Sequence, residues 1–361
     1  MSEKTSEKNQ KVRNRFVWVI SAIAVLIAVS AAAICPFHEI APSNEPKGPS
    51  PALATAEAIV FDDANLEAAV REQLGIQDRA LTTQDAQSVS QLSLSNKDIR
   101  SVKALAYFKN VESLTLDWNR IDDISALAAL TQLKQLWLSN NQVGDLSALA
   151  NLKGLEQLYL DANQVSDISA LSNHVKLKEL YLGANQISDI DALVDSENLF
   201  CLDLTDNQIS DIGALAGMSH LESLYLNKNK IGDCSALSGH ADLKYLDLSD
   251  NCIGDINALT GLKISALGLS NNQIADVSGL SGLKYLTSLT LNGNKISDLS
   301  PLSGMRSLMS LSLRDNQIRD ISALSTLTNL RELYLNDNPI EDYHPVAGYY
   351  ESLTNPDFTI N

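Results

Sequence analysis

The apolar and polar positions of the 361-residue chain repeat at a fixed step. An asparagine marks the step at Asn119, Asn141, Asn163, Asn185, Asn207, Asn229, Asn251, Asn272, Asn294, Asn316 and Asn338. One earlier unit, LSLSNKDI, carries Lys97 in its place, which makes twelve units. Every step is 22 residues except the one from Asn251 to Asn272, which is 21. The missing residue falls in TGLKISAL, where Leu262 and Ile264 stand closer together than their counterparts. Leucine precedes the marker by five and by three places in every unit, from Leu92 and Leu94 to Leu333 and Leu335. Ile or Val follows two places after it. Leu follows eight places after it in all units but the last, which has Val346.

A constant period of this length decides the architecture before any local reading. The pattern L-x-x-L-x-L-x-x-N-x-I-x-D-I-x-x-L is that of the leucine-rich repeat. The alternating L-x-L predicts a short strand. No single unit can bury its own leucines, so the units stack. The marker amide has donors and an acceptor to satisfy backbone groups where the chain leaves the strand, which predicts a buried, structural ladder. An aspartate follows four places after it in eleven units, Asp123 to Asp342. A calcium site wants a denser cluster of oxygens than one carboxylate per turn. Capping of a short helical turn is the better reading, and no metal is expected.

Strand side chains alternate between faces. With the leucines inward, the column four places before the marker faces out. It reads Ser93, Thr115, Trp137, Tyr159, Tyr181, Asp203, Tyr225, Asp247, Gly268, Thr290, Ser312 and Tyr334. Trp118, one place before its marker, and Tyr245, six before its own, extend the aromatic group. Aromatic residues form only 5% of the chain, so their concentration in consecutive units points to a binding surface rather than to stacking alone. The expected ligand site is Trp118, Trp137, Tyr159, Tyr181, Asp203, Tyr225, Tyr245 and Asp247. A flat aromatic strip edged by carboxylates suits a protein hot spot or the apolar faces of sugar rings, so the expected ligand is a protein or a carbohydrate.

The ends differ from the repeats. Residues 1–15 form a basic tail with Lys4, Lys8, Lys11, Arg13 and Arg15, expected in the cytoplasm. FVWVISAIAVLIAVSAAAIC, residues 16–35, carries no charge and is long enough to span a bilayer. It reads as a membrane anchor or as a secretory signal with SAAA as its cleavage region. A lipoprotein reading of Cys35 is weaker, because Ile34 stands where a small residue is wanted. Residues 36–57, rich in Pro, Ser and Ala, read as a linker. Residues 58–89 read as an N-terminal cap. Within them, Asp62 or Asp63 starts a helix that Gly75 stops, Leu66, Val70 and Leu74 share one face, and TTQD is a capping box. The repeats then occupy 90–340, and 341–361, with Tyr349, Tyr350, Leu353 and Phe358, close the far end.

The cap IVFDDANLEAAVREQLG followed by N-x-I-x-D-I-x-A-L units resembles the internalin-like leucine-rich repeat proteins of Gram-positive bacteria, over residues 59 to 361. The resemblance implies an α/β solenoid: a horseshoe of about twelve units with short parallel strands on the concave face, short helical turns on the convex face and a helical N-terminal cap. It also implies ligand binding through the concave face. The chain shows no LPxTG-type sorting signal and no wall-binding module, so the N-terminal segment is the expected attachment and the location is the cell membrane, with the repeats outside, or secreted.

Charge and chemistry narrow the classes further. The net charge is −17, which repels nucleic acid and anionic lipid. Of the four cysteines, Cys234 reads as a buried hydrophobe, while Cys201 on the concave face and Cys252 beside a marker lie too far apart to bond, about 10 Å by strand spacing. His174 and His240 read as partly buried edge residues. No Ser-His-Asp, zinc-ligand or phosphate-loop motif is present, and Asp203 and Asp247 stand two strands apart with no sign of a raised pKa. No enzyme and no cofactor is expected. The reading is an extracytoplasmic binding protein. The alternatives are an intracellular subunit like phosphatase-regulating repeat proteins, which use a similar step, and an envelope spacer without a specific ligand.

Overall fold

The computed structural model describes residues 57–360. The tail, the uncharged segment and almost all of the linker therefore lie outside the described residues. Twelve three-residue strands, from β1 (Gln91–Ser93) to β12 (Glu332–Tyr334), form one sheet in chain order. Every pairing is parallel, and equivalent leucines face each other, Leu92 with Leu114 and Leu136 with Leu158 among them. Each strand returns to the next through a short 3₁₀ turn such as Ser125–Ala129. The inward leucines, the Ile or Val after the marker and the turn leucine are buried in one continuous core.

The marker asparagines satisfy the turn off the strand. Asn163 Nδ2 donates to the carbonyls of Leu138 and Leu160 at 2.9 and 3.0 Å, and its Oδ1 accepts from the Val143 N–H at 2.9 Å. Each amide thus joins its own unit to the one before. The first unit has no unit before it, and there Lys97 reaches Glu72 of the cap helix instead, at 2.8 Å. The eleven aspartates each accept the N–H two residues on, at 2.8–2.9 Å. They serve the turn from one place before its first residue's neighbour, as an Asx turn rather than an N-cap. Among the described residues no group of three or more ligating side chains could hold a metal ion.

The residue just before each marker adopts a left-handed backbone. Asn, Asp or Gly fills most of these positions, as the conformation favours, from Asn96 (φ 57°) to Asp337 (φ 59°). The turn that follows the 21-residue step carries Gly279. A Cβ there would sit 2.5 Å from the Ile256 carbonyl, so only glycine lets this turn approach the previous one.

Helix α1 (Ala64–Leu74) starts at Asp63 and stops at left-handed Gly75. Leu66 and Val70 are buried and Leu74 is partly buried against the same core. Asp63 also accepts the N–H groups of Arg100 and Ser101 at 2.8 and 3.0 Å, tying the cap helix to the first unit, where Ser101 stands at the aspartate position. Helix α2 (Thr83–Gln87) carries the Thr82–Asp85 capping box.

Two expectations need correction. His174 and His240 are fully buried rather than edge residues. Their Nε2 atoms lie 3.2 and 3.1 Å from the carbonyls of Leu149 and Leu215 in the preceding unit. An imidazole can thus stand in a leucine column because one ring nitrogen satisfies a backbone carbonyl while the ring fills the layer. Cys201 stands on the concave face as expected, in register with Glu179, and is buried there by its neighbours. Cys201, Cys234 and Cys252 are free thiols.

Candidate functional site: the concave aromatic column

Parallel register places equal positions of successive units side by side, about 4.8 Å apart. Trp137 of β3 (Gln135–Trp137), Tyr159 of β4 (Gln157–Tyr159) and Tyr181 of β5 (Glu179–Tyr181) are in register. Their rings stack: Trp137 and Tyr159 have centroids 5.5 Å apart and planes within 14°, Tyr159 and Tyr181 4.6 Å and 9°. The rings therefore turn their faces to one another and present their edges outward. The strip is not flat.

A polar row beside the rings holds them. Gln135 Nε2 donates to Gln157 Oε1 at 2.8 Å, and Gln157 Nε2 to Glu179 Oε1 at 2.7 Å. The Tyr159 hydroxyl donates to the other oxygen of Glu179 at 2.5 Å, and the Tyr181 hydroxyl lies 3.0 Å from Cys201 Sγ. Glu179 is buried and anchors both the amide row and a ring. Gln135, Gln157 and Glu179 are absent from the sequence-based site. Their signal was present in the column six places before the marker, which runs Gln, Gln, Glu beside Trp, Tyr, Tyr.

The remaining predicted residues divide. Asp203 of β6 (Cys201–Asp203) is in register with Tyr181 on one side and with Tyr225 of β7 (Ser223–Tyr225) on the other. Tyr245 and Asp247 belong to β8 (Tyr245–Asp247). Asp247 is buried, not an exposed extension of the patch. Its neighbour in register is Gly268 of β9 (Ala266–Gly268), where a Cβ would lie 2.3 Å from Asp247 Oδ1, so the carboxylate occupies the space a side chain would fill. Trp118 lies outside the ring stack, on the turn after β2 (Ser113–Thr115), and is 58% exposed.

Trp118 is also held at φ 58°. A bulky residue there is strained and gains little packing in return. Trp118→Asn is expected to raise stability by about 0.5–1 kcal/mol, because Asn tolerates that backbone. Urea denaturation checks it, and a destabilised variant would show that the exposed indole supports the fold.

Burial also shifts the carboxylates of this face. It pushes Asp161 up to about 7, with the Asp203 charge adding to the shift and the Gly183 N–H and Ser139 hydroxyl opposing it. Burial raises Asp117, Asp203 and Asp247 as well. The expectation of unshifted Asp203 and Asp247 is thus overturned. Low solvent access disfavours the charged form. Asp161 keeps its proton when folded at pH values where it has lost it unfolded. It therefore contributes stability fully below about pH 3.8 and loses that contribution as the pH rises through 7. Asp161→Asn is expected to be more stable than the parent by about 1–2 kcal/mol at about pH 8 and equal to it at about pH 4. Urea melts at both pH values test this, and a pH-independent difference would contradict it.

The chain matches the family described as Leucine Rich repeats (2 copies) over residues 131–173, 153–195, 175–217, 197–239, 266–304 and 306–347, and a further Leucine Rich repeat family over 240–256. An internalin (InlF) of Listeria monocytogenes is 32% identical, with a TM-score of 0.79 over 86% of this chain and all of that one. The chain belongs to the internalin-like leucine-rich repeat proteins. More distant structures share the fold of this internalin-like chain. A leucine-rich repeat protein of Leptospira interrogans is 22% identical over 76% of this chain and 85% of that one, with a TM-score of 0.56. The ectodomain of an Arabidopsis thaliana membrane receptor kinase, solved in complex with Casparian Strip Integrity Factor 2, is 21% identical over 77% of this chain and 40% of that one, with a TM-score of 0.63. No protein of curated function matches the chain in sequence.

Proposed function

We propose that this internalin-like chain is an extracytoplasmic binding protein that takes a protein ligand on the aromatic part of its concave face. The observation that carries the reading is the Trp137–Tyr159–Tyr181 stack pinned by Glu179. Rings already fixed in place lose little freedom on binding, which is what a hot spot needs. A sugar ring packs on a broad exposed aromatic face, and these rings use all but the end faces of the stack on each other. Protein is therefore favoured over carbohydrate. The continuous buried core offers a fixed scaffold for presenting this face, which supports binding.

The outside location rests on the basic tail followed by the uncharged residues 16–35. Those residues lie outside the described part, and among the described residues no helix is long and apolar enough to cross a membrane. The proposed organisation keeps a cap at 58–89, repeats at 90–340 and a closing segment at 341–361. Protease added to intact protoplasts is expected to digest the repeats. Full protection would favour the intracellular regulatory alternative.

The ligand test uses immobilised residues 58–361 against surface proteins and envelope glycans. Binding is expected to be lost when Trp137, Tyr159 and Tyr181 are all changed to Ser, and kept when Thr290 and Ser312 are changed to Ala. The reverse outcome would reduce the stack to a structural ladder and refute the assignment.

A further inference from the structure

We propose that the protein ligand is held through a basic side chain, arginine foremost, that lies on the outer face of Trp137 and is neutralised by carboxylates of the concave sheet. The inference rests on the concave face being the binding face and names the chemistry of the partner.

The ring stack has an open end. One face of Trp137 is on Tyr159. On the other side its neighbours in register are Thr115 and then Ser93, both short. Among the described residues no ring stacks there. This leaves a step about one strand spacing deep, floored by Thr115 and walled by an indole face. An indole face attracts a cation, and a planar guanidinium stacks on it better than an ammonium does.

Charge complementarity selects the same partner. Asp117 follows Thr115 by two residues, so it lies on the same face of the chain. It accepts the Ser139 N–H at 2.8 Å, and it has no ion-pair partner among the described residues. Asp161, Asp203 and Asp247 further along the face have none either. Of the chain's own cations, Arg314 lies at the far end of the same face, paired with Asp357 and stacked over the Tyr334 ring. Lys134, Lys178 and Lys244 pair with Glu112, Glu156 and Glu222 at 2.8, 2.7 and 2.7 Å along the edge preceding the strands. The fold thus pairs its lysines along the edge and leaves Asp117 and Asp161 without a cation among the described residues.

Those carboxylates are already partly withdrawn from water by folding. Burial also favours their protonated forms, so an incoming cation takes the place of their protons, and the attraction it gains is screened less than on an open surface. Arginine is the more weakly hydrated cation and offers a bidentate fork to a carboxylate. An acidic or phosphorylated segment would be repelled.

The test uses the 361-residue chain and a dye-labelled tetra-arginine amide, read by fluorescence anisotropy, with tetra-citrulline amide as its uncharged counterpart. Tetra-arginine is expected to bind and tetra-citrulline is not. The variant Asp117→Asn/Asp161→Asn/Asp203→Asn should weaken tetra-arginine binding at least tenfold. A charge-matched control, Asp195→Asn/Glu197→Gln/Glu351→Gln, alters exposed acids off the sheet and should stay within twofold of the parent. Trp137→Leu should reduce the preference for tetra-arginine over tetra-lysine. Absence of tetra-arginine binding, or equal weakening in both acid variants, overturns the proposal. If the concave acid variant matches the control while Trp137→Leu still weakens binding, the cation assignment falls and the concave binding face stands. If neither the concave acid variant nor Trp137→Leu has an effect, both fall.

Discussion

Replacing Asn207 with alanine is expected to lower the unfolding free energy by about 2–4 kcal/mol. The side chain is buried between the units of β5 and β6. Its Nδ2 donates to the carbonyls of Leu182 and Leu204 at 2.9 and 3.1 Å, and its Oδ1 accepts from the Ile187 N–H at 2.9 Å. All three partners are backbone groups: alanine leaves the Ile187 N–H buried and unpaired, at about 1–3 kcal/mol, and takes one of two bonds from each carbonyl, which keep the amides of Asn185 and Asn229. An apolar residue of similar size does not rescue them, because the polarity lies in the chain itself. The effect should also have a shape. Each unit touches only its neighbours, so a break in mid-array weakens the coupling of the two halves. Urea denaturation should show a lower midpoint and a broader transition. A loss below about 1 kcal/mol with an unchanged slope would mean that water replaces the amide.

Much of this was legible in the sequence because a repeat states its register many times. The paired leucines from Leu92 to Leu335, the marker amides and the Asp63, Gly75 and Thr82 signals of the cap depend on local spacing, and spacing is what a sequence records. The single 21-residue step was legible as well, but the close approach of the following turn at Gly279 was not. Positions that depend on a neighbouring unit were read less well. His174 looks polar in a leucine column until the carbonyl of Leu149 is placed beside it. Asp247 looks exposed until Gly268 is seen to leave it room. A glycine in the outward column, adjacent in register, was the available signal. Ring orientation was the largest omission. The column Trp, Tyr, Tyr fixes that the rings are neighbours, and it does not fix that they lie face to face. Asp117 and Asp161 escaped notice because they stand two places past the column that drew attention.

The second large effect is on binding. Changing Trp137, Tyr159 and Tyr181 together to Ser is expected to cost at least about 2 kcal/mol of ligand affinity, roughly a thirtyfold weakening. The substitution also removes two ring contacts, worth about 0.5–1.5 kcal/mol each, and the Tyr159 hydroxyl bond to Glu179. A moderate loss of stability should therefore accompany the loss of binding. The leucines Leu136, Leu158 and Leu180 remain buried beneath, so the variant should still fold cooperatively. Affinity by titration calorimetry, set against urea melts of the same variant, separates the two effects. Unchanged affinity in a folded variant would remove the aromatic column from the site.

The central claim, that a protein ligand sits on this part of the concave face, is tested most directly by site-specific photo-crosslinking at Thr115 and Thr290. The two threonines occupy the same position of their strands and are similarly half-buried. One adjoins Trp137 in register, and the other lies on β10 (Ser288–Thr290), well past the aromatic column. A benzophenone amino acid at 115 is expected to give a covalent adduct with a protein partner on illuminated cells, and the same probe at 290 none. An adduct at 290 with none at 115 would contradict the account.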